Sequence, residues 1–153
     1  MRYRFVDKVV ALTLDGHPRI EVEKTFHGDD DVFTGPSGPG RVPASMLLEL
    51  MATTGGHLVF HSLGGRRLPL LLKVPACRFE GAAGPGVALC ARADLVGVSA
   101  IGDGASVAEA SAAVVLGEER LASGTLLYLC VRVDGVDLLR VGGVALAADG
   151  GRS

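Results

Sequence analysis

Pro43 to Leu63 reads PASMLLELMATTGGHLVFHSL, and the fold is decided by how this stretch is read. Pro43 suits a first helical turn, where its missing N–H leaves no bond unmade. Met46, Leu47, Leu48, Leu50, Met51, Leu58, Val59 and Phe60 place apolar side chains on nearly every side of the helix that follows. A helix that is hydrophobic all round is expected to be buried all round. Gly55 and Gly56 would each cost an exposed helix about 1 kcal/mol relative to Ala, so they point to close approach of another backbone. A single helix wrapped inside something else is the expectation.

The sequence on either side supplies the wrapping. Phe5 to Leu14 (FVDKVVALTL) and Arg19 to Phe26 (RIEVEKTF) read as strands around the turn-forming Asp15-Gly16. The second alternates, with Ile20, Val22 and Lys24 on one side and Glu21 and Glu23 on the other, so one of its faces should be wet. His27 to Val42 (HGDDDVFTGPSGPGRV) is a stiff Gly-Pro loop of the kind that positions chemistry. After the helix, Leu68–Phe79, Val87–Val98, Ala105–Leu116 and Arg120–Val133 follow one another at hairpin spacing, which implies an antiparallel sheet. The expected class is α+β, one long central helix and a curved antiparallel sheet of about six strands. One domain over 1–135 is expected, then a partly flexible extension over 136–153 with an edge strand near Val136 to Val141.

Composition agrees with one globular domain. The chain has 153 residues, 48% hydrophobic and 21% charged, enough to bury roughly two-thirds of its unfolded surface. A net charge of −2 without a basic block argues against nucleic acid as a partner. Charges at Arg2, Arg4, Asp7 and Lys8 and the lack of a run of about 18 apolar residues lead to the expectation of a soluble, cytoplasmic protein with no membrane span. Cys77, Cys90 and Cys130 stand far apart in apolar surroundings and read as buried reduced thiols; neither metal nor cofactor is expected. The 22 glycines show no fixed period, so no repeat architecture follows.

Glu49 stands out because it lies between Leu48 and Leu50 on a helix with almost no polar face. Burial would push its carboxyl upward, toward the range where it exchanges protons near neutrality, which makes it the leading catalytic candidate. The alternatives are an ion pair with Arg41, or contact with water at the helix edge beside Ser45 and Thr53. The free N–H groups of Ala44, Ser45 and Met46 carry the positive end of the dipole and could hold a carbonyl oxygen or oxyanion, unless Ser45 or water caps the helix.

Phe33-Thr-Gly-Pro-Ser-Gly-Pro-Gly-Arg-Val-Pro-Ala-Ser-Met-Leu-Leu-Glu49 resembles the FxGHFPGxPxMPGxLxxE signature of the β-hydroxyacyl-ACP dehydratases, the FabZ and FabA type of hotdog-fold protein. Arg2 to Val9 is similar to the family's RYPFLLVDRV, shortened by two residues. Lys73-Val-Pro-Ala-Cys-Arg78-Phe79 followed by Gly84-Pro85-Gly86 is similar to its IDKARF…PGD stretch. The three motifs occur in the family's order and cover most of residues 2–133.

The resemblance implies a hotdog fold and a homodimer or heterodimer that joins two sheets into one. It implies binding of the phosphopantetheine arm of acyl-ACP or acyl-CoA between subunits, and elimination of water from 3-hydroxyacyl thioesters in fatty-acid or polyketide biosynthesis. The family pairs a loop His of one subunit with a helix acid of the other. Glu49 matches the acid, but the His position holds Pro36 or Ser37, depending on the placement of a one-residue gap. Proline carries no proton, and an unassisted serine is a poor base. The family's MPG is Val42-Pro43-Ala44, and its common Gln four residues past the acid is Thr53.

Carried over position by position, the reacting groups are Glu49 and Ser37. The substrate would lie along Gly35, Pro36, Gly40 and Val42 of the loop and Ala44, Ser45 and Thr53 of the helix. Arg41, Arg66, Arg67, Lys73 and Arg78 are the expected docking cations for an acidic carrier. His57 and His61 lie about 12 and 18 Å along the helix from Glu49 and are too far for a pair within one chain. His27 could swing toward the loop, and His17 in a turn has no part. Three readings follow: a dehydratase with an unusual second group, a thioesterase using Glu49 as general base, and a non-catalytic subunit lending Glu49 to a partner's His.

Overall fold

The computed structural model describes residues 5–30, 33 and 40–133 of the chain. Helix α1 spans Ala44–Ser62, and its buried residues are Leu47, Leu50, Met51, Thr54, Gly55, Leu58 and Val59. Their spacing of three and four is that of one stripe facing one neighbour. Burial all round is therefore not what the fold gives: Ala44, Ser45 and Glu49 are exposed, and Met46, Leu48, Ala52 and Thr53 are half-buried. A single sheet covers only one side of a helix, and the extra apolar residues of its first half lie on the flanks of the stripe. The helix stops at Leu63, where Leu63 N–H donates to Val59 O and Gly65 N–H donates to Phe60 O.

Six antiparallel strands form that sheet: β1 (Lys8–Thr13), β2 (Arg19–Thr25), β3 (Leu68–Phe79), β4 (Ala88–Gly102), β5 (Ala105–Leu116) and β6 (Glu119–Val131). Their spatial order is β1-β2-β4-β5-β6-β3, so the strand that follows the helix lies at the edge farthest from β1. β3 and β5 have the expected bounds. β1 begins later than expected, at Lys8; Asp7 N–H still donates to Glu23 O at 3.0 Å, and its carboxylate accepts hydrogen bonds from Lys24 Nζ at 3.2 Å and Thr25 N–H at 2.7 Å. The β4–β5 hairpin turns through Asp103 (φ 46°) and Gly104 (φ 76°), the two left-handed residues of a tight turn that suits strand twist.

Inward positions alternate with outward ones along each central strand. Ile20 and Val22 on β2, Leu89, Ala91 and Ala93 on β4, Ala108 and Ala110 on β5, and Leu126, Tyr128 and Cys130 on β6 are at most 2% exposed. Alanines at the centre of the inner face leave room for the helix to sit close. Lys24 faces inward with them, its ammonium paired to Asp7 and 5.3 Å from the centre of the Phe26 ring. This helix on a curved antiparallel sheet is the hotdog arrangement.

Two expectations need correction. Cys130 is buried, but Cys90 is half-buried and Cys77 exposed, the last on an edge strand with a neighbour on one side only among the described residues; all three thiols are free. The expected extension over 136–153, with its edge strand, lies outside the described residues, as do residues 34–39 of the loop. No helix among the described residues is long and apolar enough to cross a membrane.

Candidate functional site

The loop reaches α1 along a fixed path. Gly40 takes φ 107°, its carbonyl packs near Gly84, and the N–H of buried Val42 donates to Ala83 O at 2.8 Å. Pro43 then precedes the first turn with φ −59° and ψ 146°, and no side chain among the described residues caps the helix. Ser45 is exposed and does not serve as the cap. Met46 N–H, expected to be free, donates to Pro43 O at 2.9 Å, since the first turn closes on the nearer carbonyl. The N–H groups of Ala44 and Ser45 have no partner among the described residues.

Glu49 lies on the solvent side of the same helix, about 6 Å along the axis from Ser45. Its carboxylate is exposed in the single chain and forms no ion pair among the described residues, so neither the expected burial nor the alternative pairing with Arg41 is found. The buried stripe passes through Leu50 and Leu47, which turns position 49 outward. Thr53, one turn on, is half-buried. Gly40, Ala44, Ser45 and Glu49 are thus exposed from the loop into the helix, with Thr53 half-buried, whereas Val42 is buried and does not line the open face. Gly35, Pro36 and Ser37 lie outside the described residues.

The expected docking cations do not share a surface. Arg41 is exposed at the loop, Arg66 is exposed beyond the helix end, and Lys73 and Arg78 lie along β3. Arg67 is committed inside the fold, donating to the hydroxyl of buried Ser106. Arg78 stands 3.8 Å from Glu80. Of the histidines, His17 stands 3.2 Å from Asp94, and His27 is exposed with its N–H donating to Asp30. His57 sits against the core with Nε2 buried and unpartnered among the described residues. Burial, and then the neighbouring charge of His61, lowers His57 to about 4, so it stays neutral in ordinary buffers.

Two features were not singled out in the sequence. Tyr128 of β6 donates from its hydroxyl to Ala52 O at 2.6 Å, and burial pushes that hydroxyl well above its ordinary range, so it remains a donor. A Cβ on Gly55 would collide with the same hydroxyl. The glycine that suggested a close backbone accommodates an aromatic side chain instead. The second feature is a set of arginines on the outer face of the sheet, Arg19, Arg92 and Arg120 with Arg78. Alternation marked that face of β2 as wet, but only the strand order brings these side chains together.

No family model matches the sequence, and no curated protein matches it. Solved structures do share its fold. A conserved protein from Pseudomonas aeruginosa is 21% identical, with 81% of this chain and 87% of that chain covered and a TM-score of 0.61. A phenylacetic acid degradation-related protein from Ralstonia eutropha, described as a candidate thioesterase, is 21% identical over 72% of this chain and 75% of its own, with a TM-score of 0.56. A hypothetical thioesterase protein with coenzyme A, from Streptococcus pneumoniae, is 13% identical over 82% and 85%, also with a TM-score of 0.56.

Proposed function

We propose that this chain is an acyl-CoA thioesterase of hotdog architecture, with Glu49 as general base. The observation that carries the reading is a carboxylate, unpaired among the described residues, on the open face of α1, one turn from two amide donors at the helix start. A water held by Glu49 gives up its proton to the carboxylate as its oxygen attacks the thioester carbonyl. The tetrahedral oxyanion lies against the N–H groups of Ala44 and Ser45, at the positive end of the dipole. The C–S bond then breaks, and the leaving thiolate takes the proton back from Glu49. Atoms and charge balance without a second side chain.

Chemical economy favours hydrolysis over the dehydratase suggested by the resemblance. Elimination in that family uses an imidazole and a carboxyl, whereas Pro36 or Ser37 stands where the imidazole would be. Fold neighbours described as thioesterases, one of them with coenzyme A, support the same choice and favour CoA over a carrier protein.

The site is completed by a second copy of the chain. Among the described residues β3 offers an unpaired sheet edge of 12 residues, with Leu70, Leu71, Leu72 and Phe79 between 45% and 56% exposed. Pro69 and Pro75 suit such an edge, where a missing N–H is tolerated. An apolar edge of this length favours pairing with another copy.

Free-thiol release from a panel of acyl-CoA esters tests the reading. The wild-type chain should release thiol, and Glu49→Gln should lower the rate about 10²- to 10⁴-fold. Formation of an enoyl thioester without thiol, or activity that appears only when a second hotdog subunit bearing a loop His is added, would overturn it.

A further inference from the structure

The face of the sheet turned away from the helix carries a cleft of about 720 Å³, open to solvent and lined by five of the six strands. Its shape follows from strand register. One row across the sheet reads Arg19, Asp94, Ser111, Thr125, Ala76, and the next reads Glu21, Arg92, Ala113, Ser123, Arg78. Arg120 of β6 follows beside the second row. In both rows β5 and β6 contribute only small side chains; the long cationic ones are Arg19 of β2 in the first row, and Arg92 of β4 and Arg78 of β3 in the second. The floor is therefore low and the walls are guanidinium groups, with β4 and β3 about 14 Å apart at three strand spacings.

The charges are incompletely matched. Four arginines face three carboxylates: Asp94 lies 3.6 Å from Arg19, Glu21 lies 3.0 Å from Arg92, and Glu80 is shared by Arg78 at 3.8 Å and Arg120 at 3.4 Å. Most of these contacts are long, and although Arg120 already donates from Nε and Nη2 to the two Glu80 oxygens at 3.4 and 3.5 Å, each guanidinium has five N–H donors, so donors are left for a ligand. Arg92 Nε is buried and lacks a hydrogen-bond partner among the described residues, because Glu21 is near but misaligned. The hydroxyls of Ser111, Ser123 and Thr125 on the floor also make no hydrogen bond among the described residues.

We infer that this cleft binds a nucleoside diphosphate, its phosphates held by the Arg92 and Arg120 forks and its sugar over the serine and threonine floor. Guanidinium forks suit phosphate oxygens, which accept two parallel N–H bonds. The volume lies within the range of small-molecule sites, about 300–1,000 Å³, and exceeds what a single inorganic anion fills. The inference is independent of the thioester reading, since the cleft and Glu49 lie on opposite sides of the sheet. The diphosphate could belong to a free nucleotide or to the nucleotide end of coenzyme A.

Titration calorimetry of the full chain with ADP at low ionic strength tests it. Arg92→Gln and Arg120→Gln should each weaken binding about 10-fold, and Arg92→Lys should weaken it as well, because an ammonium keeps the charge but loses the fork. Arg132→Gln, outside the cleft, should leave binding unchanged, and adenosine should not bind. A parallel titration with CoA separates the sources. Binding of both ligands, lost together in the variants, supports recognition of the shared diphosphate, and binding of ADP alone supports a free nucleotide. No binding of ADP at millimolar concentration, or equal affinity in the wild type and the Arg92→Gln/Arg120→Gln double variant with both folded by circular dichroism, would overturn the inference.

Discussion

The two sides of α1 obey different rules. On the side facing the sheet, Leu47, Leu50, Met51, Leu58 and Val59 are at most 2% exposed and belong to the hydrophobic core. On the other side, Ser45, Glu49 and Thr53 touch water and make no side-chain bond among the described residues. One side therefore carries stability, and the other is open for chemistry. Substitutions on the two sides should separate folding from activity.

The largest stability effect should come from the covered side. Leu58→Ala removes a fully buried side chain and should cost about 2–5 kcal/mol in denaturant unfolding. A cost near zero would mean that the stripe does not hold the fold.

His57, on the flank of the stripe, should impose a pH dependence. Its folded value is lowered to about 4 from the ordinary 6.5, so the unfolded chain binds the proton more readily. The stability is complete above about pH 6.5 and is lost as pH falls toward 4, by up to about 3 kcal/mol. Unfolding free energies measured across that window should slope upward with pH. His57→Leu should flatten the slope, and an unchanged slope would place the titration elsewhere.

A smaller effect is expected where the helix meets β6. Gly55→Ala puts a methyl group onto the Tyr128 hydroxyl and should cost about 1–3 kcal/mol. Tyr128→Phe in the same chain should restore part of the loss, which a double-mutant cycle by thermal unfolding would show. Full additivity of the two changes would contradict the contact.

The sequence carried much of the fold but less of its sidedness. Gly and Asp at Asp15-Gly16, Gly64-Gly65 and Asp103-Gly104 punctuate the elements, and strand alternation identifies inward residues, so β3 and β5 could be bounded to the residue. Glu49 was legible as the odd residue of the helix, but not its exposure. Apolar Met46, Leu48 and Phe60 masked a stripe that emerges only once a single sheet covers one side. The arginine cleft was also hidden, because it depends on β4 lying beside β2, and β3 beside β6, across long stretches of chain. Cys77 read as buried because its apolar neighbours outweighed Pro69 and Pro75, the local marks of an edge strand.

On the open side the smallest stability effect and the largest functional one should coincide. Glu49→Gln should move the unfolding free energy by less than about 0.5 kcal/mol, as for other surface changes. The most direct measurement is thiol release from an acyl-CoA ester by that same folded variant. The account predicts a rate about 10²- to 10⁴-fold below the wild type with unfolding unchanged. Undiminished release would contradict it.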